Sequence, residues 1–193
     1  MVKPSDHTSA LANQIDVPCT SHAKARPSPP RQPWCGDLDI RVERDGTWLY
    51  RGSPIGRKAL VKLFASVLRR ESDGGYWLVT PAERGRIRVD DAPFTAVELT
   101  VEGAGREQSL LFRTNLDEPV AAGHDHPIRV ESTKAGGEPR PYVLVRPGLD
   151  ALIVRAVYYQ LVELGVEEPT RGAGAFGVWS RGAFFPLGSL EEG

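Results

Sequence analysis

LDIRVERDGTWLY, residues 38–50, decides how the fold begins. Leu38, Ile40 and Val42 alternate with Asp39 and Arg41, the period-2 pattern of a strand with one buried face. Arg44-Asp45-Gly46 follows. Asp-Gly supplies the positive φ of a tight hairpin, so Trp48-Leu49-Tyr50 reads as the return strand. An antiparallel sheet therefore opens the globular part of the chain.

Downstream, Ser53-Pro54 reads as the N-cap and first position of a helix. Its apolar face would be Ile55, Ala59, Leu60, Leu63, Phe64, Val67 and Leu68, ending at Arg69 and Arg70, where the helix dipole favours cations. Asp73-Gly74-Gly75 breaks the chain. Strands are expected at Tyr76 to Thr80, Arg86 to Val89, Phe94 to Val101 and Leu110 to Arg113, with a turn from Gly103 to Arg106. Ile128 with Val130, and Tyr142 to Val145, give two more, joined by a polar loop containing Gly136-Gly137. A second helix is expected from Leu149 to Leu164, striped by Leu149, Leu152, Ile153, Ala156, Val157, Leu161 and Leu164 and capped by Gly165. Phe176 to Trp179 and Phe184 to Leu187 close the chain as a hairpin around Arg181-Gly182.

Strands, one helix and an aromatic-led hairpin thus occur twice, around residues 38 to 90 and 128 to 187. The fold class is α+β, mostly antiparallel, with two related strand–helix–hairpin units. The expected boundaries are a Pro-rich disordered tail at 1–33, an N-terminal α+β domain at 34–90, a C-terminal α+β domain at 91–188 and a flexible end at 189–193. In the tail, Pro27, Pro29, Pro30 and Pro33 stand among Lys24, Arg26 and Arg31, a stretch with no apolar surface to offset the entropy of ordering.

Bulk numbers exclude several functions. The 193 residues carry 24 Lys+Arg against 25 Asp+Glu, a net charge of -1 without the basic surplus of a nucleic-acid binder. Nowhere do roughly 18 apolar residues run together, so no membrane-spanning helix is expected. Met1 to Val17 carry Asp6, His7 and Asp16 and lack the apolar core of a signal peptide, and Cys19 and Cys35 are too few for a disulfide framework. The expected compartment is the cytoplasm.

Three candidate sites stand out. His124-x-His126 with Glu131 has metal-site spacing and supports a metal-dependent enzyme as an alternative. It resembles the first metal motif of the cupin barrel, but Glu118 stands where that motif has glycine, no histidine follows His126, and Asp125 and Pro127 point to a turn. No Gly-x-Ser-x-Gly elbow, P-loop or dinucleotide fingerprint is present, and Gly172 to Gly177 leads into a strand rather than a helix, so no catalytic residue and no cofactor is expected. The second candidate is the arginine and tyrosine content of the C-terminal half. Arg140, Tyr142 and Arg146 are evenly spaced on one strand face, and Arg155 and Tyr159 are i, i+4 neighbours on the following helix. Together they suit an anion or a flat ring. The competing reading is a solvated sheet face with its arginines paired to Glu131, Glu138 or Asp150. Third, Phe184 and Phe185 point to opposite faces of one strand, so one is an anchor for a protein partner unless a second layer covers it.

The order of several short motifs is familiar. Cys35-Gly36-Asp37-Leu38, then Thr114-Asn115 with Gly123 and His126-Pro127, then Arg140-Pro141-Tyr142-Val143 with Arg146, then Ala151 to Tyr159, then Gly177-Val178-Trp179-Ser180 to Phe184-Phe185-Pro186-Leu187-Gly188 resemble the bacterial DUF1285 family over about residues 34 to 188. The resemblance implies an α+β fold with a duplicated motif and a second half superficially like a pleckstrin-homology domain. It implies a site between the halves for a small, nucleotide-like molecule, and a role in signal transduction. The motif positions that would line such a site are Thr114, Asn115, His126, Arg140, Tyr142, Arg146, Arg155 and Tyr159.

Overall fold

The opening hairpin forms as the alternation requires. The structure, a computed structural model, describes residues 34–132, 138–168 and 174–189. The Pro-rich tail, the Gly136-Gly137 loop, much of the Gly-rich stretch at 171–173 and the end of the chain lie outside those residues. β1 (Trp34–Val42) pairs antiparallel with β2 (Trp48–Tyr50) across a turn in which Gly46 has φ +87°. Ile40, Val42 and Trp48 point into the core.

The first helix departs from the expectation. Ser53–Pro54 is β3, paired back onto Leu49 and Tyr50. Arg51 and Gly52 both adopt positive φ, 49° and 76°, a left-handed pair that reverses the chain into a second hairpin. The Ser-Pro helix signal loses to that turn. α1 starts only at Lys58 and ends at Ser66, nine residues without a side-chain cap. Val61 and Ala65 form its buried face, Phe64 stacks on Trp48 with ring centroids 6.5 Å apart, and Leu60 and Leu63 are exposed. Arg69 and Arg70 do not end the helix but belong to β4 (Leu68–Arg70). β5 (Tyr76–Val79) and β6 (Arg84–Val89) complete a sheet of order β3-β2-β1-β6-β5-β4, antiparallel except for its central pair β1 and β6.

The second sheet has the same plan. β7 (Phe94–Glu102), β8 (Ser109–Thr114) and β9 (Pro119–Ala121) form one antiparallel meander. β10 (Ile128–Ser132), β11 (Pro139–Arg146) and β12 (Leu149–Ile153) form the other, and β12 joins β7 in parallel. Here too the helix is shorter than expected. Gly148, with φ +74°, turns the chain so that Leu149–Ile153 returns as a strand, and α2 is only Arg155–Glu163. A central strand is buried on both faces, so its apolar run mimics a helical stripe. Gly165 does not adopt a left-handed cap. A Cβ there would lie 2.1 Å from the Phe176 ring, so close packing requires the glycine.

β13 (Val166–Glu168), β14 (Ala175–Ser180) and β15 (Ala183–Ser189) form a third, antiparallel sheet, with Arg181 and Gly182 at φ 50° and 72° in the final turn. A three-stranded meander, a nine-residue helix and another meander therefore occur in that order over 34–89 and again over 128–189. Phe185 is buried, while Phe184 is half-buried beside its cross-strand neighbour Trp179, the ring centroids 5.3 Å apart. Ser180 fixes this sheet to the second one: its hydroxyl donates to Ala122 O at 2.8 Å and accepts from Leu110 N at 3.0 Å.

One apolar cluster runs through all three sheets, from Val42, Trp48 and Leu68 through Phe94, Phe112 and Ile153 to Val178 and Phe185. α2 lies against β7 and β14 and buries Val157 and Leu161, whereas Ala156, expected in the helix's apolar stripe, is exposed. A shared core predicts one cooperative unfolding transition, seen alike by near- and far-UV circular dichroism. Leu161→Ala should lower the stability by about 2–5 kcal/mol, whereas exposed Leu63→Ala should change it by less than about 0.5 kcal/mol. Two separated transitions in denaturant would contradict this packing.

Candidate functional site

Five stretches of chain meet around a pocket of about 340 Å³. The β1–β2 turn supplies Arg44 and the connection from β6 to β7 supplies Asp91. The start of β11 supplies Arg140, beside Glu138 just before it. The end of β12 supplies Leu152, and the first turns of α2 supply Arg155, Tyr158 and Tyr159.

Each polar group has a physical reason for its place. Tyr142, on β11, is only 3% exposed and donates its hydroxyl hydrogen bond to Asp91 Oδ1 at 2.7 Å. Burial above all, and then that bond, push the Tyr142 phenol up to about 12. The Arg129 guanidinium lies over the ring, 4.5 Å from its centroid, and is held by Asp150 at 2.9 Å and by Glu131. Asp91 Oδ2 is buried and accepts no hydrogen bond among the described residues. It faces Arg44 Nε at 3.4 Å and Arg140 Nη1 at 4.0 Å. Arg155 Nε donates to the Tyr159 hydroxyl at 2.6 Å, and its Nη1 lies 3.5 Å from Glu138.

The start of α2 is electrostatically unusual. Val154 occupies the N-cap with no side-chain hydrogen bond, and no acidic residue lies in the first turn. Arg155 instead places a cation at the positive end of the helix dipole, where an anion belongs. Helix start and guanidinium together attract negative charge into the pocket.

The eight expected site residues divide. Arg140, Arg155 and Tyr159 line the pocket, and Tyr142 supports it from behind through Asp91. The face shared by Arg140, Tyr142 and Arg146 is not a solvated one throughout, because Tyr142 is buried. A register shift between Leu144 and Arg146 also separates Arg146 from the other two. Arg146 reaches α1, donating to Ala65 O at 3.1 Å, and pairs with Glu118 at 3.4 Å. Thr114 is fully buried, and its hydroxyl accepts from Glu118 N at 3.0 Å. Asn115 does not line the pocket but braces it. Its amide donates to Gly46 O at 3.2 Å in the turn that carries Arg44, and its carbonyl oxygen accepts from Thr95 N at 3.2 Å.

His126 stands apart, its Nδ1 2.9 Å from Leu144 O, in a turn closed by hydrogen bonds between Gly123 and His126. The metal reading of His124, His126 and Glu131 finds no support: no cluster of three potential ligands occurs among the described residues, and Glu131 pairs with Arg129. The carboxylates expected to neutralise the arginine face are engaged, but Glu131 and Asp150 hold Arg129, and only Glu138 meets an expected site residue, Arg155. Sequence reading missed Arg44 and Asp91. The available signals were an arginine beside an Asp-Gly turn, and the Asp90-Asp91 pair at the junction of the two sheets.

A larger depression of about 920 Å³ lies over the polar face of β1 and β6. Its Arg41 is committed to Asp90 by bonds of 2.9 and 2.7 Å, so its charge is already answered.

Comparison with known proteins agrees with this architecture. A profile described as the N-terminal domain of DUF1285, a domain of unknown function, matches residues 29–92, and its C-terminal counterpart matches 93–187. The chain belongs to the DUF1285 family. A crystal structure of a DUF1285 family protein from Silicibacter pomeroyi DSS-3 is 48% identical, with 87% of this chain and 92% of that chain covered and a TM-score of 0.75. Another, from Shewanella baltica OS155, is 27% identical, with 65% and 91% covered and a TM-score of 0.52. No curated protein matches the chain. In the terms of this family, Arg44 and Asp91 come from the N-terminal domain, and the other pocket residues from the C-terminal one.

Tyr142 yields a pH prediction. A free phenol ionises near pH 10. As pH rises, the unfolded chain loses this proton first. The stabilisation is therefore full below about pH 10 and is lost as pH rises through about 12. Tyr142→Phe should flatten this part of the curve, so between about pH 9 and about pH 11 the urea midpoint should fall further for the parent protein than for the variant. Tyr76 and Tyr158, also pushed up by burial, contribute equally to both proteins. Equal falls would contradict the assignment.

Proposed function

We propose that this DUF1285 protein is a cytoplasmic binding protein that holds a small anionic, nucleotide-like ligand between its two family domains and acts in signal transduction. The observation that carries the reading is the convergence of Arg44, Arg140 and Arg155 on one pocket beside the uncapped start of α2. Arginine forks match phosphate and carboxylate oxygens, and the two tyrosine rings offer a face to a planar group. The pocket volume falls at the lower end of small-molecule sites. We read the repeated meander–helix–meander order as a duplication, with the C-terminal half superficially of pleckstrin-homology type and domain boundaries near 34–90 and 91–188. The pocket would then join two related halves.

A thermal-shift panel of mono-, di- and cyclic nucleotides tests the proposal. At least one should raise the melting temperature, the stabilisation being about 2.7 kcal/mol at a hundredfold excess over Kd. Arg140→Ala and Arg155→Ala should each abolish the rise. Arg155→Ala should not destabilise the free protein, because the side chain is 73% exposed and sits at the wrong end of the helix dipole. Arg146→Ala should lower stability while leaving the ligand-induced rise in place. A flat response to the whole panel contradicts the reading.

A further inference from the structure

Asp91 is a conspicuous group in the pocket. Its carboxylate sits at the junction of the two family domains, with its side chain 8% exposed, and two guanidiniums from opposite sides approach one oxygen. Neither hydrogen-bonds to it, and Oδ2 is left without a donor. A buried carboxylate oxygen in that state is costly to keep unless its charge does something. Its effect here is electrostatic. It draws Arg44 and Arg140 to the same wall while leaving their N–H forks free of it. It also cancels one of their two charges.

The balance of charge around the pocket follows. Glu138 answers Arg155, and Asp91 answers one of the pair Arg44 and Arg140. Among the described residues of the wall one formal positive charge remains, reinforced by the start of α2. A second negative charge on a ligand would meet the Asp91 carboxylate with no further cation among the described residues of the wall to oppose it.

The geometry points to Asp91 as the residue that sets ligand charge, so that the pocket selects a singly charged anion bearing a planar ring, such as a phosphodiester or an aromatic carboxylate, over a doubly charged phosphomonoester. This rests on the binding reading above and narrows it to a ligand class.

The test is calorimetric titration of the full chain with four probes at about pH 8, where a phosphomonoester with a second pKa near 6 is doubly charged. The probes are cyclic AMP (singly charged), 5′-AMP (doubly charged), benzoate (a singly charged aromatic carboxylate) and adenosine (neutral). The expected result is that cyclic AMP or benzoate binds more tightly than 5′-AMP and adenosine. Whichever of the first two binds more tightly identifies the anion as phosphodiester or carboxylate. Asp91→Asn should move the ratio of 5′-AMP affinity to singly-charged-probe affinity about tenfold toward 5′-AMP, the scale of one nearby charge. Asp90→Asn removes the same charge one residue away, outside the pocket, and should move the ratio much less. Arg44→Gln, on an exposed turn, should weaken the singly charged probe about tenfold and keeps the test decisive if Asp91→Asn fails to fold. Tighter binding of 5′-AMP by the parent protein, or an unchanged ratio in Asp91→Asn, overturns the inference while leaving anion binding intact. Binding of none of the four overturns both.

Discussion

The Asn115 side chain uses both of its ends at the boundary between the family domains, one bond within its own domain and one across to the other. Its oxygen takes the Thr95 amide at the start of the second sheet, and its nitrogen reaches the carbonyl of Gly46 in the first hairpin. Gly46 fits because it has positive φ and no side chain, since a Cβ there would lie 2.6 Å from the Asn115 amide. A hairpin turn on its own is among the more mobile parts of a fold. Here it is anchored to a strand on the far side of the boundary, and Arg44 on that turn acquires a fixed position relative to Arg140 and Arg155. Further links reinforce the same boundary. Arg146 reaches α1, and Lys58 and Lys62 of α1 clasp Asp117, whose carboxyl they hold well below the usual range. Without this polar stitching the apolar cluster would still join the halves, but it would not fix where an arginine on a turn points, because hydrophobic contact is non-directional.

Two features of the pocket run against stability. Arg155 opposes the dipole of its own helix, and Asp91 keeps a buried oxygen without a hydrogen bond. Elsewhere the chain pairs its charges economically, as in the bidentate contact of Arg41 with Asp90 or the pairing of Arg106 with Glu168. Buried polar atoms without a hydrogen bond also occur at Trp48, Trp77 and Arg146, but in this concave place two such departures come together from residues far apart in sequence, which supports the proposed binding role.

How much was legible in the sequence depends on whether the deciding interaction is local. Alternation in 38–42 and the Asp-Gly turn act within a few residues, and the first hairpin was readable. The final hairpin around Arg181-Gly182 was readable for the same reason. Both helices were drawn too long because an apolar run cannot distinguish a central strand from a helix face. Leu149, Leu152 and Ile153 satisfied the helical period, yet pairing with β11 and β7 decides them. Arg51-Gly52 outweighed Ser53-Pro54 through a left-handed turn that sequence permits but does not demand. In the site, Arg140, Arg155 and Tyr159 emerged from strand and helix spacing. Arg44 and Asp91 did not, since only the tertiary fold brings them there. Thr114 and Asn115 follow from the family motifs and Arg146 from strand spacing, and their work is to brace the domain boundary rather than to line the pocket.

The central claim is that one pocket takes its arginines from both domains, in an arrangement fixed by Asn115. Side-chain NMR of the arginine Nε–Hε groups during titrations with cyclic AMP and with benzoate tests this most directly. The account predicts that the Arg44, Arg140 and Arg155 signals shift together, and that in Asn115→Ala the Arg44 signal no longer follows the other two. Shifts confined to Arg140 and Arg155 in the parent protein, shifts at Arg86 and Arg88 instead, or no shift at any arginine would contradict it.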